Sequence, residues 1–280
     1  AASISGFLVK DAFGSYHKSG QSYYATSIAF DESLDVQYFD ALGTDSFNVV
    51  AAQEPQGTVS LSFYVTTGEE ISSITGQYGK TGFMTVQAGP FSTDAALLSS
   101  FSVKGDSLGL VEGSVAYTYY GGLASGSGTS IGSETIIPAH GGAAIAEVED
   151  LGASSILSFD YSVSQSYDVR HGLGYDTPQG VTFTEGSRTL TLDSQAQDTS
   201  FNQTSLTGIY GLCPNGAGEP GFSTKTGNII LKNLCGEIIS NLDISGYLES
   251  RSFSASPDKN VSSNLRFTEK FPNSNISGDC

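Results

Sequence analysis

The feature that most constrains this chain is the alternation of apolar side chains with serine and threonine. Thr58-Val59-Ser60-Leu61-Ser62-Phe63 places an apolar group at every second position. A period of two puts alternate residues on opposite faces of a strand, one toward a core and one toward water. Arg188 to Asp193, Ser114 to Tyr119 and Asn264 to Thr268 follow the same rule. Hydroxyls supply the wet face, so charge is sparse. Ser (43), Thr (23) and Gly (34) together occupy 100 of the 280 positions, and only 15% are charged. Clusters of Gly, Asn, Asp and Pro separate these strands, the pattern of an antiparallel sandwich or barrel. The expected fold class is therefore all-β, with one or two short helices. Two segments read as helical, Ser92 to Leu98 and Ala143 to Leu151. Both are too short to hold without a sheet beneath them.

Self-comparison organises the chain further. Ser33-Leu34-Asp35-Val36 recurs as Ser166-Tyr167-Asp168-Val169, 133 positions later. Gly57-Thr58-Val59-Ser60-Leu61-Ser62-Phe63 recurs as Gly186-Ser187-Arg188-Thr189-Leu190-Thr191-Leu192, 129 positions later. A Leu-Gly turn lies between the two elements in each half, at Leu42-Gly43 and Leu173-Gly174. Each half then ends in a pair of strands: Phe101 to Lys104 with Ser114 to Tyr119, and Leu242 to Tyr247 with Asn264 to Phe267. The pattern predicts two similar antiparallel β-sandwich or barrel modules, residues 1–125 and 126–280, joined near the Gly/Ser segment 121–130.

Charge divides with the repeat. There are 12 basic and 29 acidic residues, a formal charge of −17, split as −9 in residues 1–140 and −8 in 141–280. A pI near 4.3 argues against gripping a phosphate backbone, since that affinity comes from Lys and Arg. Between Lys104 and Arg170 there is no Lys or Arg, while eight Asp and Glu residues fall in that span. Such a stretch serves solubility, or presents a surface that repels a polyanion. No apolar run approaches the roughly 20 residues that span a bilayer as a helix. The opening residues read as a cytoplasmic chain that lost its initiator Met, although a processed secreted chain would look the same.

Chemistry-bearing motifs are missing. His17, His140 and His171 have no second ligand at metal-site spacing, and neither a nucleophile elbow nor a phosphate loop is present. Cys213, Cys235 and Cys280 permit a 213–235 disulfide with one thiol left over, but idle reduced thiols are the expectation for a cytoplasmic product. Carboxylates gather at Asp31-Glu32, at Glu69-Glu70 and at Glu147, Glu149 and Asp150. None of these groups has calcium-loop spacing, and adjacent residues on a strand point to opposite faces, so a solvated surface is their plainer reading. The expectation is a non-enzyme with no cofactor and no metal.

Tyr23-Tyr24-Ala25-Thr26-Ser27-Ile28-Ala29-Phe30, then Ser33-x-Asp-Val, Leu42-Gly43, Pro55-Gln56-Gly57 and an alternating strand resemble the virion proteins of tailed bacteriophages, particularly tail tube (major tail) proteins. That resemblance implies rings that stack into a tube, six-membered or built from three chains with pseudo-sixfold symmetry. The implied partners are copies of the chain itself, a tape-measure protein and other tail proteins, with DNA as a cargo that does not stick and no membrane. The implied location is the virion tail, after synthesis in the host cytoplasm. On this reading Asp31, Glu32 and Asp35 contribute charge to a lumen. The segments 39–57 and 170–186 are candidate loops between rings, with Asp40, Asp45, Gln56, Arg170, Asp176 and Gln179 as contact residues. A capsid decoration or other head-tail protein would share the pattern. An extracellular carbohydrate-binding adhesin is the alternative of another class, weakened by the absence of Trp.

Overall fold

The computed structural model describes residues 15–18, 21–39, 48–51, 54–88, 91–125, 137–148, 155–173, 175, 178–195, 225–256 and 259–271. Within them the chain is almost wholly β. In the first half run β1 (Ser15–Lys18), β2 (Gln21–Tyr24), β3 (Ser27–Ser33), β4 (Val36–Phe39), β5 (Asn48–Ala51) and β6 (Gln56–Tyr64). A single helix, α1 (Gly68–Thr75), precedes β7 (Met84–Ala88), β8 (Phe91–Asp106), β9 (Glu112–Tyr120) and the short β10 (Ala124–Ser125). A 3-10 turn at Gly141–Ala143 leads into β11 (Ile145–Val148), β12 (Ser155–His171), β13 (Pro178–Gln195), β14 (Lys225–Lys232), β15 (Ile238–Ser256) and β16 (Lys259–Phe271).

Fourteen of these strands form one antiparallel sheet, and β4 with β5 forms a separate two-stranded arm. The pairings contain the same order twice. In the first half the ladder runs β1-β7-β8-β9-β6-β3, and in the second β11-β14-β15-β16-β13-β12. The registers agree as well. Ser33 faces Gln56, directly before Gly57, and Ser166 faces Glu185, directly before Gly186. The two runs are fused where β12 pairs with β8, from Ser158↔Asp106 to Ser164↔Ser100. The sheet is not a closed barrel.

The alternation read from sequence sets which face is buried. Val59, Leu61 and Phe63 of β6 join Phe101, Val103, Val115, Tyr117, Phe159, Tyr161, Leu190, Leu192, Leu265 and Phe267 in one continuous core that also includes Ile229 and Leu242. Full burial of such a side chain contributes about 1.5–3 kcal/mol. The segment around Ala139 ties remote parts of the sheet together. Ala139 N–H donates to the Val65 carbonyl (2.8 Å), Val111 N–H donates to the Ala139 carbonyl (2.9 Å), and His140 N–H donates to the Lys232 carbonyl (3.0 Å).

Both expected helices are strands instead. Asp94 to Leu98 lies in β8, with Ala96, Leu97 and Leu98 all buried. Ladders to β7 and β9 on its two edges outweigh the helix propensity of an Ala-Leu run. At 143–151 the described part is the end of the 3-10 turn and β11, which pairs with β14. Among the described residues the helix is α1, whose Ile71 and Ile74 stand one turn apart and are both buried.

Three glycines in these ladders each face an aromatic residue across the strand pair: Gly57 and Tyr119, Gly113 and Phe63, Gly186 and Phe271. A Cβ on Gly57 would overlap the Asp31 carbonyl oxygen, which is fixed in the β3–β6 ladder. A Cβ on Gly186 would meet the Phe271 ring, a side chain rather than backbone held in a ladder. We therefore expect Gly57→Ala to lower unfolding stability by about 1–3 kcal/mol, the usual overpacking cost, and Gly186→Ala to cost less. Urea denaturation of both variants measures the order.

Candidate functional site

The face opposite the core is the most extended feature available for function. It alternates with the buried residues, so it is built largely from hydroxyls. Ser102 and Ser114 Oγ atoms lie 2.7 Å apart, Ser164 and Ser187 2.9 Å, and Ser99 Oγ and Thr118 Oγ1 2.6 Å. Each pair is a cross-strand contact that stabilises the sheet by a few tenths of a kcal/mol to about 1. Hydroxyls already engaged with one another leave weak sites for a solute.

Two cations on this face are held by carboxylates. Lys104 pairs with Glu112 (3.5 Å), and Arg266 with Glu249 (3.2 Å). Thr268 Oγ1 donates to the same Glu249 carboxylate (2.6 Å). Asp193 accepts from Ser158 Oγ (3.0 Å) and Asn264 Nδ2 (2.6 Å). A shallow cleft of about 500 Å³ at one end of the face is lined by Lys104, Asp106, Glu112, Asp160 and Asp193, among others. It carries four carboxylates against one amine.

The three acidic residues expected in a lumen do not share one face. Asp31 pairs with Thr58, on the hydroxyl side, while Glu32 pairs with Gly57 and points the other way. Asp35 lies in the break between β3 and β4. All three are exposed. Among the candidate loop residues, Gln56 is in β6, and Arg170 and Gln179 are in β12 and β13. Arg170 contacts Asp168 (3.9 Å), and its Nη2 donates to Thr182 Oγ1 (3.3 Å). The segment 170–186 is thus mostly paired strand, because the β12–β13 ladder runs out to His171↔Pro178. In 39–57 the described residues are likewise largely in β5 and β6. Asp40, Asp45 and Asp176 lie outside the described residues.

Two arms carry exposed apolar side chains. Leu34, Tyr38 and Phe39 stand at and beyond the turn from β3 into β4, and Leu173 and Tyr175 sit at the tip of the β12–β13 hairpin. The arms project from equivalent places in the two runs, since Ser33 and Ser166 occupy the same register.

A second cluster went unread in the sequence. Arg188 shares strand parity with Leu190 and Leu192 and therefore turns toward the interior. Its guanidinium lies 5.1 Å from the ring centroids of both Tyr78 and Phe271 and pairs with Glu269 (3.4 Å). Phe271 stacks on Phe183 (5.7 Å), which meets Tyr167 edge-on (5.7 Å). The signal available was the parity itself, a charge at an inward position of an alternating strand. Beside it, Arg188, Glu269, Asp243 and Glu147 help line a cleft of about 640 Å³. An ion pair already closed on its own arginine gives that cleft no free cation.

Among the described residues, no three His, Cys, Asp or Glu side chains gather as a metal-holding group. His140 Nδ1 accepts from Gly142 N–H (3.0 Å) and so caps the 3-10 turn. Cys235 is exposed, and Cys213 and Cys280 lie outside the described residues. No helix among the described residues is long and apolar enough to cross a membrane. No protein-family model matches the chain, and no curated protein matches it.

Burial raises the hydroxyl pKa of Tyr78 and Tyr161, which neighbour each other, and pushes Tyr167 up to about 12. The folded chain therefore holds protons that the unfolded chain releases near the ordinary tyrosine value of 10.0. Stability that is complete below about pH 10 must fall as pH rises above it. In an alkaline titration, part of the tyrosinate absorbance should appear only together with the loss of β-sheet signal. Ionisation of every tyrosine in one step while the sheet persists would contradict this.

Proposed function

We propose that the chain is a structural subunit that assembles with its own copies, forming rings that stack into a DNA-conducting tube of the tailed-phage type. The observation that supports this best is the broad hydroxyl face, on which Lys104 and Arg266 are held by carboxylates and carboxylates outnumber cations at the Lys104 cleft, while Lys270, opposite Ser187, is exposed. Binding to a nucleic-acid backbone depends on Lys and Arg displacing counterions from phosphates. A face of mutually bonded hydroxyls and surplus carboxylate lets a polyanion pass without holding it. Asp31 belongs to that face, and Glu32 does not.

The repeated strand order supports reading residues 1–125 and 126–280 as two copies of one unit. Three chains would then present six units around a ring, and hexamers of whole chains are the other stoichiometry. A tape-measure protein inside the tube and other tail proteins at its ends are the partners of that assembly. The role is structural rather than catalytic, carried out in the virion tail after synthesis in a host cytoplasm.

Electron microscopy of the purified chain tests the proposal, with stacked rings around a continuous channel as the expected image. DNA should elute unretarded from the assembled protein, at low salt as well as high. A chain that stays monomeric at high concentration overturns the proposal. Location on a capsid surface would favour the decoration reading. Glycan binding by monomers would favour an adhesin that uses the exposed Tyr38, Phe39 and Tyr175 as platforms.

A further inference from the structure

The two equivalent runs do not end in equivalent surroundings. In the second run the outer strand is β12, and its edge is covered by β8 from Ser158↔Asp106 to Ser164↔Ser100. In the first run the outer strand is β3, which pairs only with β6 among the described strands. The strand equivalent to β8 is β15. Its stretch from Tyr247 onward pairs with β16, while β14 covers its other edge only from Ile238 to Gly246. One junction is therefore made inside the chain, and among the described strands the two halves of an equivalent junction are left unpaired.

Burial along these strands records the difference. Tyr161 and Val163 of β12 are fully buried beneath the neighbouring strand. Ile28 and Phe30, at the equivalent positions of β3, are only half-buried. Addition of a strand to this edge would extend the core over both. We propose that the β3 edge of one copy pairs antiparallel with the open β15 edge of a second copy, in the register that β12 keeps with β8. The inference deepens the assembly reading above and rests on it.

The register follows from the ladders. Glu32↔Gly57 and Gln165↔Gly186 align β3 with β12. Gly57↔Tyr119 and Gly186↔Phe271 align β9 with β16. Lys104↔Glu112 and Ser252↔Asn264 then align β8 with β15. The internal pair Asp160↔Lys104 accordingly becomes Ser27 of one copy facing Ser252 of the next, and Tyr161↔Val103 becomes Ile28 facing Arg251.

Charge favours this unlike pairing over a like one. The β3 edge carries Asp31 and Glu32 and no basic residue, so two β3 edges brought together would set carboxylates against carboxylates. The open stretch of β15 carries one cation, Arg251, and one carboxylate, Glu249, which is paired with Arg266, so it sets no such run of like charges against β3. Pairing of two different edges is heterologous, and repetition gives a ring if the rotation closes or a filament if it does not. It also removes an exposed strand edge, which is otherwise a route to uncontrolled aggregation.

The test uses full-length chains in which Cys213, Cys235 and Cys280 are replaced by serine. Ser27→Cys and Ser252→Cys, both at exposed positions, are made singly and mixed before oxidation. The expected result is a disulfide-linked species of two chain masses in the mixture only, and longer ladders when both substitutions are on one chain. Hydrogen exchange of the unsubstituted chain provides a readout that does not depend on the variants, with amides 27–31 and 250–254 slowing on assembly. Assembly without the 27–252 disulfide and without this protection overturns the interface and leaves the tube reading standing. Cross-linking of Ser27→Cys to itself overturns the heterologous geometry. A chain monomeric under all conditions overturns both.

Discussion

The pairing of β12 with β8 is the contact on which the rest of the structure depends. It joins two runs of the same strand order into one sheet and makes one core from what would otherwise be two small ones. A single side chain reinforces it. Gln165 is buried, its Nε2 donates to the Leu98 carbonyl (3.2 Å), and its Oε1 accepts from Gly79 N–H (2.7 Å). The amide is well suited to this place because it offers a donor and an acceptor, and a buried polar group left without partners costs about 1–3 kcal/mol. The same residue thus holds β12 to β8 and anchors the turn after α1. At the equivalent position of β3 stands Glu32, exposed, which suits a strand edge in water better than a covered one.

Much of the fold was legible because one physical rule, the two-residue period, governs both the sequence and the sheet. The alternating segments around Val59, Val115, Leu190 and Leu265 are β6, β9, β13 and β16, and their apolar residues are buried. The repeated Ser-x-Asp-Val and Gly-led elements occupy matching registers, because a strand's partner is set by which face must be buried. The errors came where local preference and long-range pairing disagree. Ala95 to Leu98 favours a helix in isolation, but it has strand neighbours on both edges and is buried on both faces, which no local pattern reveals. The helix α1 rests on Ile71 and Ile74, one helical turn apart, a pair too sparse to stand out as an apolar stripe in the sequence.

The candidate site was legible in kind but not in detail. Hydroxyls as the wet face followed from composition, yet Asp31 and Glu32 could be assigned to opposite faces only once the register with Thr58 and Gly57 was known. The loop expected at 170–186 is, in its described residues, an extension of the β12–β13 ladder, since a strand pair continues for as long as both partners can form backbone hydrogen bonds. Arg188 was hidden by the same alternation that revealed its neighbours. A cation at an inward position requires aromatic faces and a carboxylate brought from remote strands, here Tyr78, Phe271 and Glu269. Sequence spacing holds no record of that meeting.

Acidity and sparse charge act together in such a chain. An open-edged sheet with a neutral, hydroxyl-lined surface would be prone to join any other strand it met. Carboxylates on β3 make its edge repel copies of itself, without closing it to an edge of different charge. On the flat of the sheet the needs differ: Lys104 and Arg266 are held by Glu112 and Glu249, so that part of the surface stays polar while offering a polyanion little to grip. The net charge of −17 is therefore better understood by position than by total. At the edge it selects which strands can pair, and on the face it limits what can adhere.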